Sequence, residues 1–131
     1  MSLQEKIKPT ESELEILNIL WSKGACTVRE IHEELEKNKD AGYTTTLKLM
    51  QIMHEKKMLT RDVTSKTHIY TAAISQEQIQ GQIIRRVIDT AFNGSAMQLV
   101  MQALGNHKAS RDELDQIKAY LDSMEKKSKK S

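Results

Sequence analysis

The chain has 131 residues, of which 38% are hydrophobic and 29% charged, which suits one or two small domains rather than a large enzyme. Its formal net charge is only +2, so overall charge does not by itself indicate a nucleic-acid-binding protein. Cys26 is the only cysteine, which excludes an internal disulfide or a cysteine-rich metal cluster. No apolar run approaches the roughly 18 residues of a membrane span, and the N-terminus lacks a signal-peptide core, so we expect a cytoplasmic protein.

Charge is unevenly distributed along the chain. Residues 1–43 carry six Lys and Arg against nine Asp and Glu, a net charge of −3, whereas residues 44–73 carry five against two, a net charge of +3. Residues 74–131 carry nine against seven, a net charge of +2. A local basic segment beside an acidic one can form a binding face without making the whole protein basic.

Two amphipathic helices are predicted in the N-terminal third of the chain. Both starts have the Thr-x-x-Glu spacing of a capping box, in which each residue satisfies a backbone N–H of the other. The two boxes are Thr10–Glu13 and Thr27–Glu30. The first helix is expected to end at Lys23-Gly24 and the second near Lys37, before a short polar turn.

The segment from Gly42 to Lys57 predicts a third helix with two different faces. Its buried stripe is expected to contain Thr46, Leu49, Met50 and Met53. Its outer face carries Thr44, Thr45, Lys48 and Gln51. Lys can reach phosphates or guanine, Gln can pair with adenine, and a Thr methyl can pack on thymine. We therefore interpret this segment as a helix that enters a DNA major groove; the alternative is a solvated surface helix.

Past Met58 the apolar period changes, which predicts a β-hairpin. Leu59, Arg61 and Val63 alternate with Thr60 and Asp62, residues 67–73 are β-branched and aromatic, and Thr64, Ser65 and Lys66 supply the turn. A helix-turn-helix followed by a hairpin is a winged helix. The three turn residues, at the tip of the wing, are candidates for contacts with phosphate oxygens.

Residues 75–131 predict a separate helical region. Ser75 and Ser110 begin helices, Asn93-Gly94 separates the first helix from the second, and Gly105 is expected to end the second. The last helix has the 3-4-3 apolar spacing of a coiled-coil seam, and the basic tail from Lys126 is expected to be disordered. The predicted dimerisation residues are Ile79, Ile83, Val87, Ala91, Val100, Leu104, Leu114, Ile117, Leu121 and Met124.

This helical region has too few elements to bury its apolar residues within one chain, so we expect a second copy. A two-fold homodimer would present two third helices to a palindromic DNA site, roughly 34 Å apart. The sequence thus predicts a mainly α fold with a small β-hairpin. Its domains are an N-terminal winged helix-turn-helix at residues 1–74 and a C-terminal helical dimerisation domain with a basic tail at residues 75–131.

Four segments resemble the penicillinase-repressor and methicillin-resistance-repressor family of bacterial regulators. They are ELEILNILW, TVREIHEEL, GYTTTLKLMQIMHEKKML and SRDELDQIKAYL. The resemblance spans nearly the whole chain and implies a homodimeric winged-helix repressor of palindromic operators, at genes for antibiotic resistance or related stress responses. It also implies that Thr44, Thr45 and Lys48 face DNA.

The chain departs from that family pattern at several positions. Ile52 stands where many relatives have Arg, so we expect it to make an apolar DNA contact, and Lys57 replaces the usual Gly before the hairpin. Antibiotic-sensing members are inactivated by cleavage of an Asn-Phe bond, whose place here corresponds to Gln102-Ala103. The paired C-terminal cysteines of the copper-responsive branch are absent, so the sequence indicates no inducing signal.

Other classes of function find little support in the sequence. The four histidines lack the i, i+4 spacing of a helical metal pair, and there is no glycine-rich phosphate loop or nucleophile elbow. We therefore expect no enzyme, cofactor, metal or small-molecule ligand. Two hypotheses remain: a DNA-binding repressor, and a winged-helix module for protein–protein assembly that does not bind DNA.

Overall fold

The computed structural model describes residues 7–130. Within these residues it contains six helices, α1 (Glu11–Lys23), α2 (Val28–Glu36), α3 (Tyr43–Glu55), α4 (Gln76–Ala91), α5 (Ala96–Asn106) and α6 (Arg111–Lys130). Two strands, β1 (Leu59–Asp62) and β2 (Ile69–Ala72), lie between α3 and α4. The predicted fold class, mainly α with a winged helix and a helical C-terminal region, is confirmed.

The chain divides into two compact units, the first reaching to Ile84 and the second beginning at Arg85. This division falls within α4, whereas the sequence placed the boundary before that helix. The difference arises because Ile79, in the first half of α4, is fully buried in the core of the first unit.

The starts of α1 and α2 are fixed by the predicted capping boxes. The Thr10 side chain accepts the N–H of Glu13, and a Glu13 carboxylate oxygen accepts the N–H of Thr10 at 2.8 Å. Thr27 and Glu30 make the same reciprocal pair, with distances of 2.9 and 3.1 Å. At the other end of α1, Gly24 adopts a φ of 84°, which an L side chain rarely tolerates.

The core of the first unit gathers apolar side chains from its helices and from the hairpin. Its most deeply buried members are Ile16, Leu17, Ile31, Met50, Met53, Tyr70 and Ile79. Each such side chain contributes about 1.5–3 kcal/mol when fully buried. The Trp21 indole packs against this cluster and donates a hydrogen bond to the Ile74 carbonyl at 3.0 Å, joining α1 to the segment that follows the hairpin.

The wing is attached to the helices by an isolated β-bridge at Cys26. In the hairpin, β1 and β2 pair antiparallel, with Leu59 opposite Ala72 and Asp62 opposite Ile69. Cys26, between α1 and α2, exchanges two backbone hydrogen bonds with Tyr70, of 3.0 and 2.8 Å. Burial raises the pKa of the Cys26 thiol, so this cysteine is a packed structural residue rather than a reactive thiolate.

An ion-pair network joins α1 to α2 and gives a pH-dependent prediction. Glu34 pairs with the Lys23 ammonium at 2.6 Å and the Lys37 ammonium at 2.7 Å. These two hydrogen-bonded cations lower the pKa of Glu34 from 4.5 to about 2. Because the folded-state pKa lies below the unfolded value, the network stabilises the fold above about pH 4.5, and this contribution is lost as the pH falls toward 2.

We therefore expect Glu34→Gln to lower the urea midpoint of unfolding at neutral pH, and to have a much smaller effect near pH 2. Glu33→Gln is the matched control, because Glu33 is exposed on the same helix and belongs to none of the ion pairs described. Equal losses at the two pH values would contradict the assignment.

The second unit contains the rest of α4 and the two C-terminal helices. Among residues 85–129 no side chain is buried. The predicted break between α4 and α5 is present, with Asn93 and Gly94 at positive φ values of 51° and 84°. Two expectations for this unit are wrong.

The end of α5 and the basic tail both differ from prediction. Gly105 remains helical and α5 continues to Asn106, whose side-chain amide donates to the Gln102 carbonyl at 2.9 Å and satisfies part of the helix end. The tail from Lys126 is not disordered, because α6 extends to Lys130. Lys has good helix propensity, and cations near a helix C-terminus interact favourably with the helix dipole.

Candidate nucleic-acid interface

The two predicted faces of α3 are present in the structure. Thr46, Met50 and Met53 are buried, and Leu49 is half-buried. The exposed side chains of the opposite face are Thr44, Thr45, Lys48 and Gln51. Ile52 is half-buried at the border between the two faces. The outer face of α3 therefore presents hydroxyl, ammonium and amide groups. These groups can form hydrogen bonds with base edges and phosphates.

The first turn of α3 is anchored to α2 by a buried histidine. His32 Nδ1 lies 3.2 Å from Thr46 Oγ1, and His32 Nε2 lies 2.7 Å from a Glu36 carboxylate oxygen. The Tyr43 ring stands edge-to-face against the His32 ring, with centroids 5.4 Å apart, and the Arg29 guanidinium lies 5.4 Å from the Tyr43 centroid. Sequence reasoning considered His32 only as a metal ligand, although its i, i+4 spacing with Glu36 was an available signal.

The last turn of α3 is anchored to α1. Glu13 is buried, and one of its carboxylate oxygens lies 3.1 Å from the Lys56 ammonium just past the end of α3. The other oxygen closes the capping box of α1. With both ends held, the exposed face of α3 is carried by a rigid element, which favours recognition of a fixed geometry.

The tip of the wing uses two of its three predicted contact residues internally. The Asp62 carboxylate accepts the Thr64 backbone N–H at 2.9 Å and the Thr64 hydroxyl at 2.8 Å, and these two bonds lower the pKa of Asp62. The Ser65 hydroxyl donates to the Thr67 carbonyl at 2.7 Å. Thr64 and Ser65 thus shape the turn, and Lys66 presents the cation at the tip.

A groove of about 480 Å³ lies between the start of α2, the outer face of α3 and the wing. Gln51 and Lys66, two predicted contact residues, are brought together along it. Arg29, Arg61 and His68 also line it, and sequence reasoning missed all three. No local spacing could have found them, because they come from α2, β1 and the segment before β2, which meet only in the folded unit.

The predicted dimerisation residues have different surroundings. Those that are exposed are Ile83, Ala91, Val100, Leu104, Leu114, Leu121 and Met124, and those that are half-buried are Val87 and Ile117. Ile79 is the exception: its exposed fraction is 0%, because it packs in the core of the first unit. Its side chain is therefore unavailable to a second copy, and its assignment to a dimer seam is corrected.

Residues 7–130 contain no group of three or more His, Cys, Asp or Glu side chains arranged to hold a metal ion. No helix in that described range combines the length and apolar character needed to cross a membrane.

Comparison with known proteins decides the family. The model of the penicillinase repressor family matches residues 9–123. The chain belongs to the penicillinase repressor family. Its relatives include the penicillinase repressor of Staphylococcus aureus, which is 20% identical over 123 residues, covering 94% of this chain and 98% of the relative.

Further relatives are regulators of methicillin resistance. The methicillin resistance regulatory protein MecI of Staphylococcus aureus strain N315 is 23% identical over 112 residues, covering 86% of this chain and 91% of the relative. The protein of the same name from Mammaliicoccus sciuri is 22% identical with the same coverage. Membership of the penicillinase repressor family identifies a bacterial transcriptional regulator of the repressor type and confirms the resemblance in the sequence.

Proposed function

We propose that this member of the penicillinase repressor family binds double-stranded DNA sequence-specifically, as a homodimer on a palindromic operator in the bacterial cytoplasm. The observation that carries the proposal is the exposed outer face of α3, with Thr44, Thr45, Lys48 and Gln51 on a helix anchored at both ends. Side chains of these types on one helix face can form bidentate and methyl contacts with base edges in a major groove.

The homodimer is supported by the exposed apolar side chains of the second unit. Met97, Met101 and Leu121 have 72%, 67% and 54% of their surfaces exposed, although each lies on an amphipathic helix. Soluble proteins rarely leave extended apolar faces uncovered, and a second copy is the partner that every such chain has available. Two-fold symmetry would repeat α3 about one DNA turn, roughly 34 Å, away.

The salt dependence of duplex binding tests this proposal against the alternative of a protein–protein assembly module. Operator candidates are first selected from a random duplex pool. The affinity for a selected duplex should then fall with salt, with a log–log slope of about −0.9 for each phosphate neutralised. Absence of duplex binding at low salt would favour the assembly module.

Lys48→Ala should distinguish base recognition from phosphate binding on α3. If the ammonium contacts a guanine edge, the substitution weakens binding by roughly 1–3 kcal/mol and relaxes the preference at one base pair. Selection from a randomised pool with the wild type and the variant measures that preference. Lys108→Ala, in the exposed connection between α5 and α6, is the control for loss of one charge. Equal weakening on all duplexes would assign Lys48 to a phosphate.

A further inference from the structure

We propose that the groove between α2, α3 and the wing is a phosphate-binding site that holds one backbone phosphodiester of the duplex, with Arg61 as its central ligand. The inference rests on the DNA-binding function proposed above and adds residues to it. Arg29 and Lys66 complete the cationic lining of the groove, and His68 adds an imidazole ring.

Arg61 gives the strongest indication that the groove binds an anion. It lies opposite Tyr70 in the hairpin, so the two side chains share the face of the wing that borders the groove. Its Nε is buried, and no acceptor for it exists in the part of the chain that the structure describes. A buried donor without an acceptor is costly, and a guanidinium carries its charge at any accessible pH. A phosphate oxygen would supply the acceptor and the opposite charge together.

The charges around Arg61 point to an anion from outside the chain. No Asp or Glu lines the groove, and none of the ion pairs described within residues 7–130 involves Arg29, Arg61 or Lys66. The neighbouring carboxylate, Asp62, is the next residue on the strand, so it projects from the other face and accepts hydrogen bonds from Thr64. The cations of the groove therefore have no internal counter-ion among these residues.

The shape of the groove favours a backbone phosphodiester over a free phosphate ion. A volume of about 480 Å³ exceeds what one phosphate ion fills and leaves room for the flanking sugars. The ring of Tyr43, which is 40% exposed, supplies apolar surface for such a sugar. Gln51 lies in the same lining, so a duplex that receives the outer face of α3 brings its own backbone to this groove.

Arg61→Met tests the site, because it removes the charge and retains most of the aliphatic length. We expect binding to weaken roughly tenfold to a hundredfold on selected and scrambled duplexes alike, since phosphates carry no sequence. The magnitude of the log–log salt slope should fall by about 0.9. Lys108→Met, which removes an exposed cation of the second unit, should leave affinity and slope unchanged.

A neutral methylphosphonate scanned along each strand identifies the phosphate directly. At one position in each half-site, the methylphosphonate should weaken binding by the wild type but should not weaken binding by Arg61→Met any further. The two changes remove the same contact, so their effects should not add. The urea midpoint of the DNA-free variant should stay at or above that of the wild type. Lys66→Met, at the exposed tip, repeats the slope measurement if Arg61→Met fails to fold.

The outcomes separate this inference from the function on which it rests. If the wild type binds no duplex at low salt, both fail. If the wild type binds and the groove variants keep the full salt slope, only the phosphate site fails. Saturable stabilisation of the DNA-free wild type by inorganic phosphate, abolished in Arg61→Met while the slope is unchanged, would assign the groove to a free anion and overturn the proposal.

Discussion

Leu121→Asp should convert the proposed homodimer to monomers and severely reduce operator binding. Leu121 lies in the predicted seam of α6 and has 54% of its surface exposed in the single chain. In a two-fold dimer the substitution places two unpaired carboxylates in an apolar contact, at a cost of about 3–5 kcal/mol, which is roughly a hundredfold to several-thousandfold in the dimer dissociation constant. Sedimentation equilibrium measures that constant directly.

Operator affinity should fall when the proposed dimer dissociates, because a monomer presents only one copy of α3 to the duplex. Linking two binding units typically raises overall affinity by about 10²- to 10⁴-fold, and monomers lose this gain. Ser123→Asp introduces the same charge on the same helix outside the seam, so it should sediment as the wild type does. A Leu121→Asp protein that remains fully dimeric would show that the seam lies elsewhere.

Ile79→Ala should destabilise the first unit while leaving the proposed homodimer intact. Ile79 is fully buried in the core cluster, and removing a buried isoleucine side chain to alanine typically costs about 2–5 kcal/mol. Ile83 lies one turn further along α4 with 38% of its surface exposed, so Ile83→Ala should change the stability of this unit much less. Urea unfolding followed by Trp21 fluorescence reports on this unit, because the Trp21 indole is hydrogen-bonded within it.

The pair of variants also tests the corrected assignment of Ile79. Without denaturant, Ile79→Ala should still sediment as a dimer, because its side chain is fully buried in the core of its own unit. Ile83→Ala, at a position that remains a predicted seam residue, should weaken the dimer instead. If Ile79→Ala weakened the dimer and Ile83→Ala did not, Ile79 would belong to the dimer seam.

The local parts of the fold follow from local sequence. Thr10–Glu13 and Thr27–Glu30 define helix starts because a capping box is complete within four residues, and Asn93-Gly94 interrupts the chain because it favours positive φ. The hairpin was predictable from the change of period after Met58.

Two of the errors concern partners that are distant in sequence. An apolar stripe on α4 has the same spacing whether it meets its own core or a second copy, so periodicity could not separate Ile79 from Ile83. The groove between α2, α3 and the wing was missed because Arg29 and Arg61 lie on different elements and approach only after folding. The basic tail was predicted disordered from composition alone, whereas helix propensity and the helix dipole favour its continuation in α6.

The stoichiometry of the DNA complex tests the central claim most directly. Native mass spectrometry of the full chain, mixed at low salt with a duplex selected from a random pool, gives the number of chains on each duplex. Two chains per duplex, falling to at most one with Leu121→Asp, is the predicted result. A wild-type complex with one chain per duplex, or no complex at all, would contradict the account.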